Sequence, residues 1–225
     1  MTDVTALISR NAARWRQAKL TRPADFAPVA NRLLAAKARY QAVSTKTGVP
    51  WWVIAVIHER ECSQSWLRSI AQGDPWNEVS IHVPKGRGPF ASWEAAAIDA
   101  VTNCPPHAAR WQDWSAGGAL TLLEQYNGLG YANRGLPSPY IWSGTDQYAK
   151  GKYVADGVFR SDVEDRQLGC AGLLVALRAI DSGIRFADET ATAPQEAPKT
   201  EPALKRPTLA DVIGTLMRVI FKSRN

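Results

Sequence analysis

The segment His58-Glu59-Arg60-Glu61-Cys62-Ser63 gathers candidate acids, bases and nucleophiles into consecutive positions. It directly follows Trp51-Trp52-Val53-Ile54-Ala55-Val56-Ile57, a run apolar on every side of a helix and therefore expected to be buried. A carboxylate at the end of such a helix loses solvation, which disfavours its charged form. It then stays protonated near neutral pH and can hand a proton to a leaving oxygen, the step that glycoside cleavage requires. Glu59 and Glu61 stand about 200° apart around a helix, so at most one of them faces a given cleft. The alternative is that both are surface carboxylates, with Glu61 paired to a neighbouring arginine. Other chemistries fit less well. His58 to Cys62 reads HExxC rather than HExxH, which leaves zinc no second ligand at helical spacing, so no metal is expected. Cys62 with His82 or His107 is a candidate nucleophile pair, set against the plainer reading of a buried thiol. No phosphate-binding glycine loop, GxSxG elbow or nucleic-acid module signature occurs, so neither a cofactor nor a specific nucleic acid is expected.

The elements that must position these groups can be read from the remainder of the chain. Its 225 residues suit one domain plus tails, and 45% apolar with 21% charged residues is an ordinary globular balance. Nine Trp favour a protein that stacks rings on sugars or bases, whereas three widely spaced Cys exclude a disulfide scaffold. The net charge of +6 is concentrated early: Met1–Lys46 holds nine Lys or Arg against Asp3 and Asp25. Residues 1–22 therefore read as a basic arm for an anionic membrane or cell-wall polymer, the plainer alternative being a solvated helix face. No stretch reaches the roughly 18 apolar residues of a membrane span, and the start lacks a secretory pattern, so synthesis in the cytoplasm is expected.

Residues 23–185 read as one mainly α domain. Ala24–Ser44 keeps near-helical apolar spacing with Lys37 as the polar break, and Gly48 then Pro50 punctuate it before the buried helix Pro50–Glu61. Gln72 to Pro89 is too rich in Gly and Pro for regular helix and is expected to hold a small hairpin around Val79–Val83. Ser92 caps a helix from Trp93 to about Asn103, and further helices are expected at Gly117–Tyr126 and Leu168–Ser182. Asn127 to Gly157 reads as an aromatic, Gly-rich loop. Residues 186–206 read as a disordered Ala/Pro/Glu/Thr linker, and 207–225 as a short amphipathic helix for a membrane surface, a partner or the domain itself.

Several motifs in one order resemble a bacterial and phage family of lysozyme-like, peptidoglycan-cleaving proteins. They are Val56 to Ser63, Gly73-Asp74-Pro75, His82-Val83-Pro84-Lys85-Gly86-Arg87, Trp93 to Ala100, Tyr126-Asn127-Gly128-Leu129-Gly130-Tyr131, Ser138 to Thr145 and Gly151 to Gly157. The resemblance spans roughly residues 26–181 and is more distantly similar to goose-type lysozymes and family 23 lytic transglycosylases. It implies a lysozyme-like helical fold with a buried central helix and a loop-rich sugar cleft. It also implies cleavage of the β-1,4 bond between N-acetylmuramic acid and N-acetylglucosamine. Glu61 with Cys62-Ser63 matches the catalytic acid at a helix end, Asp74 falls where goose-type enzymes position water, and Tyr126-Asn127 matches a cleft-lining element. The Gly-Leu-Met-Gln segment typical of the transglycosylases is absent after Glu61.

The loop aromatics Trp76, Tyr131, Tyr140 and Trp142 are candidates to stack on pyranose faces, and Asp146 is a reserve second carboxylate. The expected activity is that of a muramidase or endolysin. Glycan strands are the partner, and a holin or phage particle would supply delivery. The alternatives are a lytic transglycosylase leaving 1,6-anhydromuramic ends, and a non-catalytic wall- or nucleic-acid-binding protein.

Overall fold

The computed structural model describes residues 3–190. Of the linker expected at 186–206, residues 186–190 are described and depart from that expectation: Phe186 is buried in the core and Ala187–Thr190 form a short helix, whereas 191–206 and the amphipathic helix expected at 207–225 lie outside the described residues. The rest is mainly helical, with one small antiparallel hairpin. Helix α1 is Val4–Gln17, α2 Pro23–Ala35, α3 Lys37–Thr47 and α4 Trp51–Cys62. After an irregular stretch come α5 (Trp93–Asn103) and α6 (Ala116–Tyr126), then the single turns α7 (Gly130–Asn133) and α8 (Pro139–Trp142). Strands β1 (Lys152–Ala155) and β2 (Val158–Arg160) precede α9 (Cys170–Ile180) and the short α10 (Ala187–Thr190). None of the described helices is long and apolar enough to cross a membrane.

The apolar run of α4 dictates the architecture. Trp52 through Ile57 are all buried, and α2, α3, α6 and α9 pack around them. Gly48 takes a left-handed φ of 74° to stop α3, and Pro50 leads into α4. The predicted Ser92 cap is present: its side chain accepts from the Ala95 amide.

Three further expectations are corrected. First, Ala24–Ser44 is not one helix; it breaks at Ala36, and Lys37 reaches across to Asp181 at 2.6 Å. Secondly, 1–22 is not a free arm, because α1 packs on α6. There Leu7 and Asn11 are buried, and Asn11 Nδ2 donates to Thr121 Oγ1 (3.1 Å) and Glu124 Oε2 (3.2 Å). The close approach needs Gly117, since a Cβ there would collide with the Ile8 carbonyl. Thirdly, the hairpin is not at Val79–Val83 but at 152–160, pairing Tyr153 with Phe159. Residues 79–83 instead wrap around the Asp74 carboxylate, which takes the backbone donors a strand partner would have used.

His58 is a core residue. Its Nε2 lies 3.0 Å from the Ser65 carbonyl, which can only accept, so Nδ1 is the ring acceptor for the Tyr40 hydroxyl at 3.0 Å. Burial among Tyr40, Trp66 and Trp93 holds its pKa down to about 4. The unfolded chain therefore takes up a proton near 6.5 that the fold refuses until about 4. Stability is expected to fall as pH drops through that window, by ~3 kcal/mol at its lower end. The raised carboxylates Glu59, Glu61 and Glu124 act with the opposite sign. Comparing the pH dependence of melting in wild type and His58→Gln isolates the histidine: the loss on acidification is expected to shrink in the variant.

Candidate active site

Glu61 sits in the last turn of α4, where the chain leaves the helix through two left-handed residues, Ser63 (φ 52°) and Gln64 (φ 58°). Neither is glycine, so the turn needs outside support. Ser63 N–H donates to Glu59 O (2.9 Å) and Gln64 N–H to His58 O (3.1 Å). Gln64 Nε2 donates to the Arg32 carbonyl and to the Tyr40 hydroxyl, each at 3.1 Å, and Tyr40 in turn donates to His58. This chain ties the exit turn to the core, and with it the direction in which Glu61 points. Glu59, on the other side of the helix, is bound to Arg32 at 3.2 Å.

Glu61 lines a cavity of about 430 Å³ with Cys62, Ser63, Arg68, Gln72, Asp74 and His82. Desolvation raises its pKa, partly opposed by a 2.6 Å hydrogen bond that Tyr140 donates to Oε1 and by the Arg60 charge. Burial raises the Tyr140 pKa well above the usual phenol value, so it remains the donor. Oε2 is thereby the oxygen left to carry a transferable proton.

Asp74 is placed on the same cavity by a different device. Its Oδ2 accepts from the Ile81 and His82 amides, both 2.9 Å, and its Oδ1 lies 2.6 Å from His82 Nδ1. These donors from His82 and Ile81 hold its carboxyl below the ordinary aspartate value. Three of about four lone-pair directions are occupied, which leaves one for a further donor. Two carboxyl groups thus share one cavity with their proton affinities displaced in opposite directions.

On the far side of Tyr140 lies a second cavity of about 470 Å³, lined among others by Arg60, Asn127, Tyr131, Lys152, Tyr153 and Gln167. Arg60 is buried with its guanidinium 4.5 Å over the Tyr140 ring, and Arg60 Nη1 donates to Leu168 O (3.2 Å). Its Nη2 lies 3.6 Å from Asp165, whose carboxylate also takes Lys152 at 3.2 Å.

Of the residues singled out in the sequence, Glu61 and Asp74 meet in the first cavity, while Asn127, Tyr131 and Tyr140 line the second. Trp142 is fully enclosed between α8 and its neighbours and is corrected from sugar platform to core. Trp76 packs on the core and spends its indole N–H on the Trp66 carbonyl at 2.8 Å; it lines neither cavity. Tyr126 also packs on the core, and burial with the nearby Glu61 charge raises its pKa. Tyr131 accepts from the Tyr153 amide at 2.9 Å and meets that ring edge-on, so its face is already used. Asp146 caps the Lys19 amide and lines neither cavity. Arg60, Lys152, Asp165 and Gln167 were missed. Arg60, within the polar cluster that ends α4, and Lys152, within Gly151 to Gly157, lie in segments that the sequence singles out; Asp165 and Gln167 do not.

Comparison with protein-family models, with curated proteins and with solved structures finds no match.

Because Tyr140 stabilises the carboxylate form of Glu61, removing its hydroxyl raises the pKa of Glu61 further. In Tyr140→Phe, the alkaline limb of any activity that needs protonated Glu61 is expected to move to higher pH, with a lower maximal rate from looser orientation. A profile unchanged in position, recorded across the alkaline limb, would remove Tyr140 from the site.

Proposed function

We propose that this chain is a lysozyme-like muramidase that cleaves the β-1,4 bond between N-acetylmuramic acid and N-acetylglucosamine in peptidoglycan. The supporting observation is the pair Glu61 and Asp74 on one cavity, the proton affinity of one carboxyl raised by burial and that of the other lowered by three donors. Glu61, with Oε1 tied to Tyr140, gives its proton to the departing glycosidic oxygen. Asp74 accepts from a water through its remaining lone pair and orients it toward the opposite face of the sugar. Its low proton affinity suits orientation and late proton acceptance better than early abstraction. A cavity of about 430 Å³ has room for the reacting carbon and a water of about 30 Å³. This division of labour is that of an inverting hydrolase.

The reading extends to delivery: acting on the wall, the enzyme would reach its glycan strands through a holin or a phage-like particle. An anionic membrane or wall polymer would meet its basic segment. The test is incubation of the purified chain with bacterial sacculi and mass spectrometry of what dissolves. Released muropeptides with reducing ends are expected. Products ending in 1,6-anhydromuramic acid would replace hydrolysis by transglycosylation, in which the sugar's own 6-hydroxyl attacks. No release from several wall types would overturn the enzymatic reading in favour of a binding protein.

A further inference from the structure

From the charge arrangement in the second cavity we infer that it is a subsite for a carboxylate carried on a sugar unit, an inference that rests on the proposed glycan-cleaving function. Arg60 and Lys152 share the single carboxylate of Asp165, at 3.6 and 3.2 Å, so the triad keeps one positive charge in excess. Asp165 is itself fixed: its amide donates to the Tyr148 hydroxyl at 2.9 Å, and it is buried. It therefore holds Lys152 in place, and the two cations outnumber its single charge. An ammonium has three donors, and one is committed to Asp165. The Lys152 side chain, 38% exposed, is the reachable cation. Arg60 is 8% exposed; its Nη atoms are engaged by Leu168 O and Asp165 and only the enclosed Nε lacks a partner, so it adds charge to the cavity while Lys152 makes the contact.

The remaining lining suits a sugar more than a bare anion. Asn127 and Gln167 already donate through their amide nitrogens, to Ser138 Oγ (3.5 Å) and Arg60 O (2.8 Å), which fixes them and leaves their amide oxygens to accept from hydroxyl and acetamido groups; the ring of Tyr153 also lines the cavity. Asp156, exposed at the hairpin turn, is the remaining charge on the rim and would disfavour a multiply charged phosphate polymer. Tyr140 lines this cavity and also binds Glu61, so a residue seated here would adjoin the bond presented to the acid. In peptidoglycan, the carboxylate comes from the lactyl ether of a muramic residue or from the peptide stem attached to it.

The test uses Glu61→Gln full-length chain, in which substrate should survive, and calorimetric titration with defined glycans. The probes are an N-acetylglucosamine–N-acetylmuramic acid disaccharide with a free lactyl carboxylate, its methyl ester, the same disaccharide carrying a stem peptide, and a neutral N-acetylglucosamine oligomer. A charged probe is expected to bind about tenfold or more tighter than the ester, as charge-assisted hydrogen bonds allow. Adding Lys152→Gln should erase that difference, and Lys152→Arg should keep most of it. Whichever charged probe shows the loss identifies the source of the carboxylate. Equal binding of ester and acid, insensitivity to Lys152→Gln, or equal displacement by inorganic phosphate would overturn the subsite. If the neutral oligomer still binds and wild type still digests sacculi, the cleavage reading survives that failure. Absence of binding by every glycan overturns both.

Discussion

Glu61→Gln is expected to lower the rate of sacculus digestion by about 10³-fold, within the range by which positioned general acids accelerate reactions. The substitution keeps the shape of the side chain and an oxygen that can accept from Tyr140, so the 2.6 Å tie and the fold remain. What it removes is the transferable proton. Glycan binding should persist at close to wild-type affinity while turnover disappears, which separates an acid from a residue that merely holds the cleft open. Because desolvation raises the Glu61 pKa, wild-type activity should be lost on the alkaline side as the carboxyl ionises, and on the acid side as Asp74 becomes protonated. Full activity in Glu61→Gln would dismiss the proposed acid.

Trp142→Ala should damage stability rather than sugar binding. The ring is fully enclosed and belongs to the same apolar cluster as α4 and α9. Truncating a buried aromatic removes both transfer energy and packing, at a cost of about 3–5 kcal/mol. A chemical-denaturation midpoint well below wild type, with an unchanged slope, is the expected result. Had Trp142 been a sugar platform, the same substitution would weaken glycan affinity and leave the midpoint almost untouched. That outcome would contradict the enclosed position.

The contrast between Trp142 and Tyr140 shows where sequence reasoning stops. Both occur in Ser138-Pro139-Tyr140-Ile141-Trp142, and both read as loop aromatics. The segment forms one turn of helix, α8, which packs on α9. Ile141 and Trp142 enter the core, and the Tyr140 hydroxyl reaches Glu61. Aromatic identity alone carries no information about which ring is consumed by packing. Similarly, the charges of residues 1–22 were legible, but their helix was not read as part of the domain. Its burial depends on Asn11 finding Thr121 and Glu124 more than a hundred positions away.

The sequence by itself determined the buried helix, because a run apolar on all sides has no stable place in water. It also determined α5 with its Ser92 cap, α6 and α9, whose patterns are local. It placed an acid at the end of α4, since the change from Ile57 to His58 and Glu59 is written in consecutive residues. Tertiary structure alone decided which carboxylate faces a cavity: Arg32 claims Glu59, and Tyr140 claims Glu61. It also brought Asp74 to that cavity through amides at Ile81 and His82, and assembled Arg60, Lys152 and Asp165 across a hundred residues. Local propensity is a property of neighbours in the chain. Proton affinity and charge balance are properties of neighbours in space.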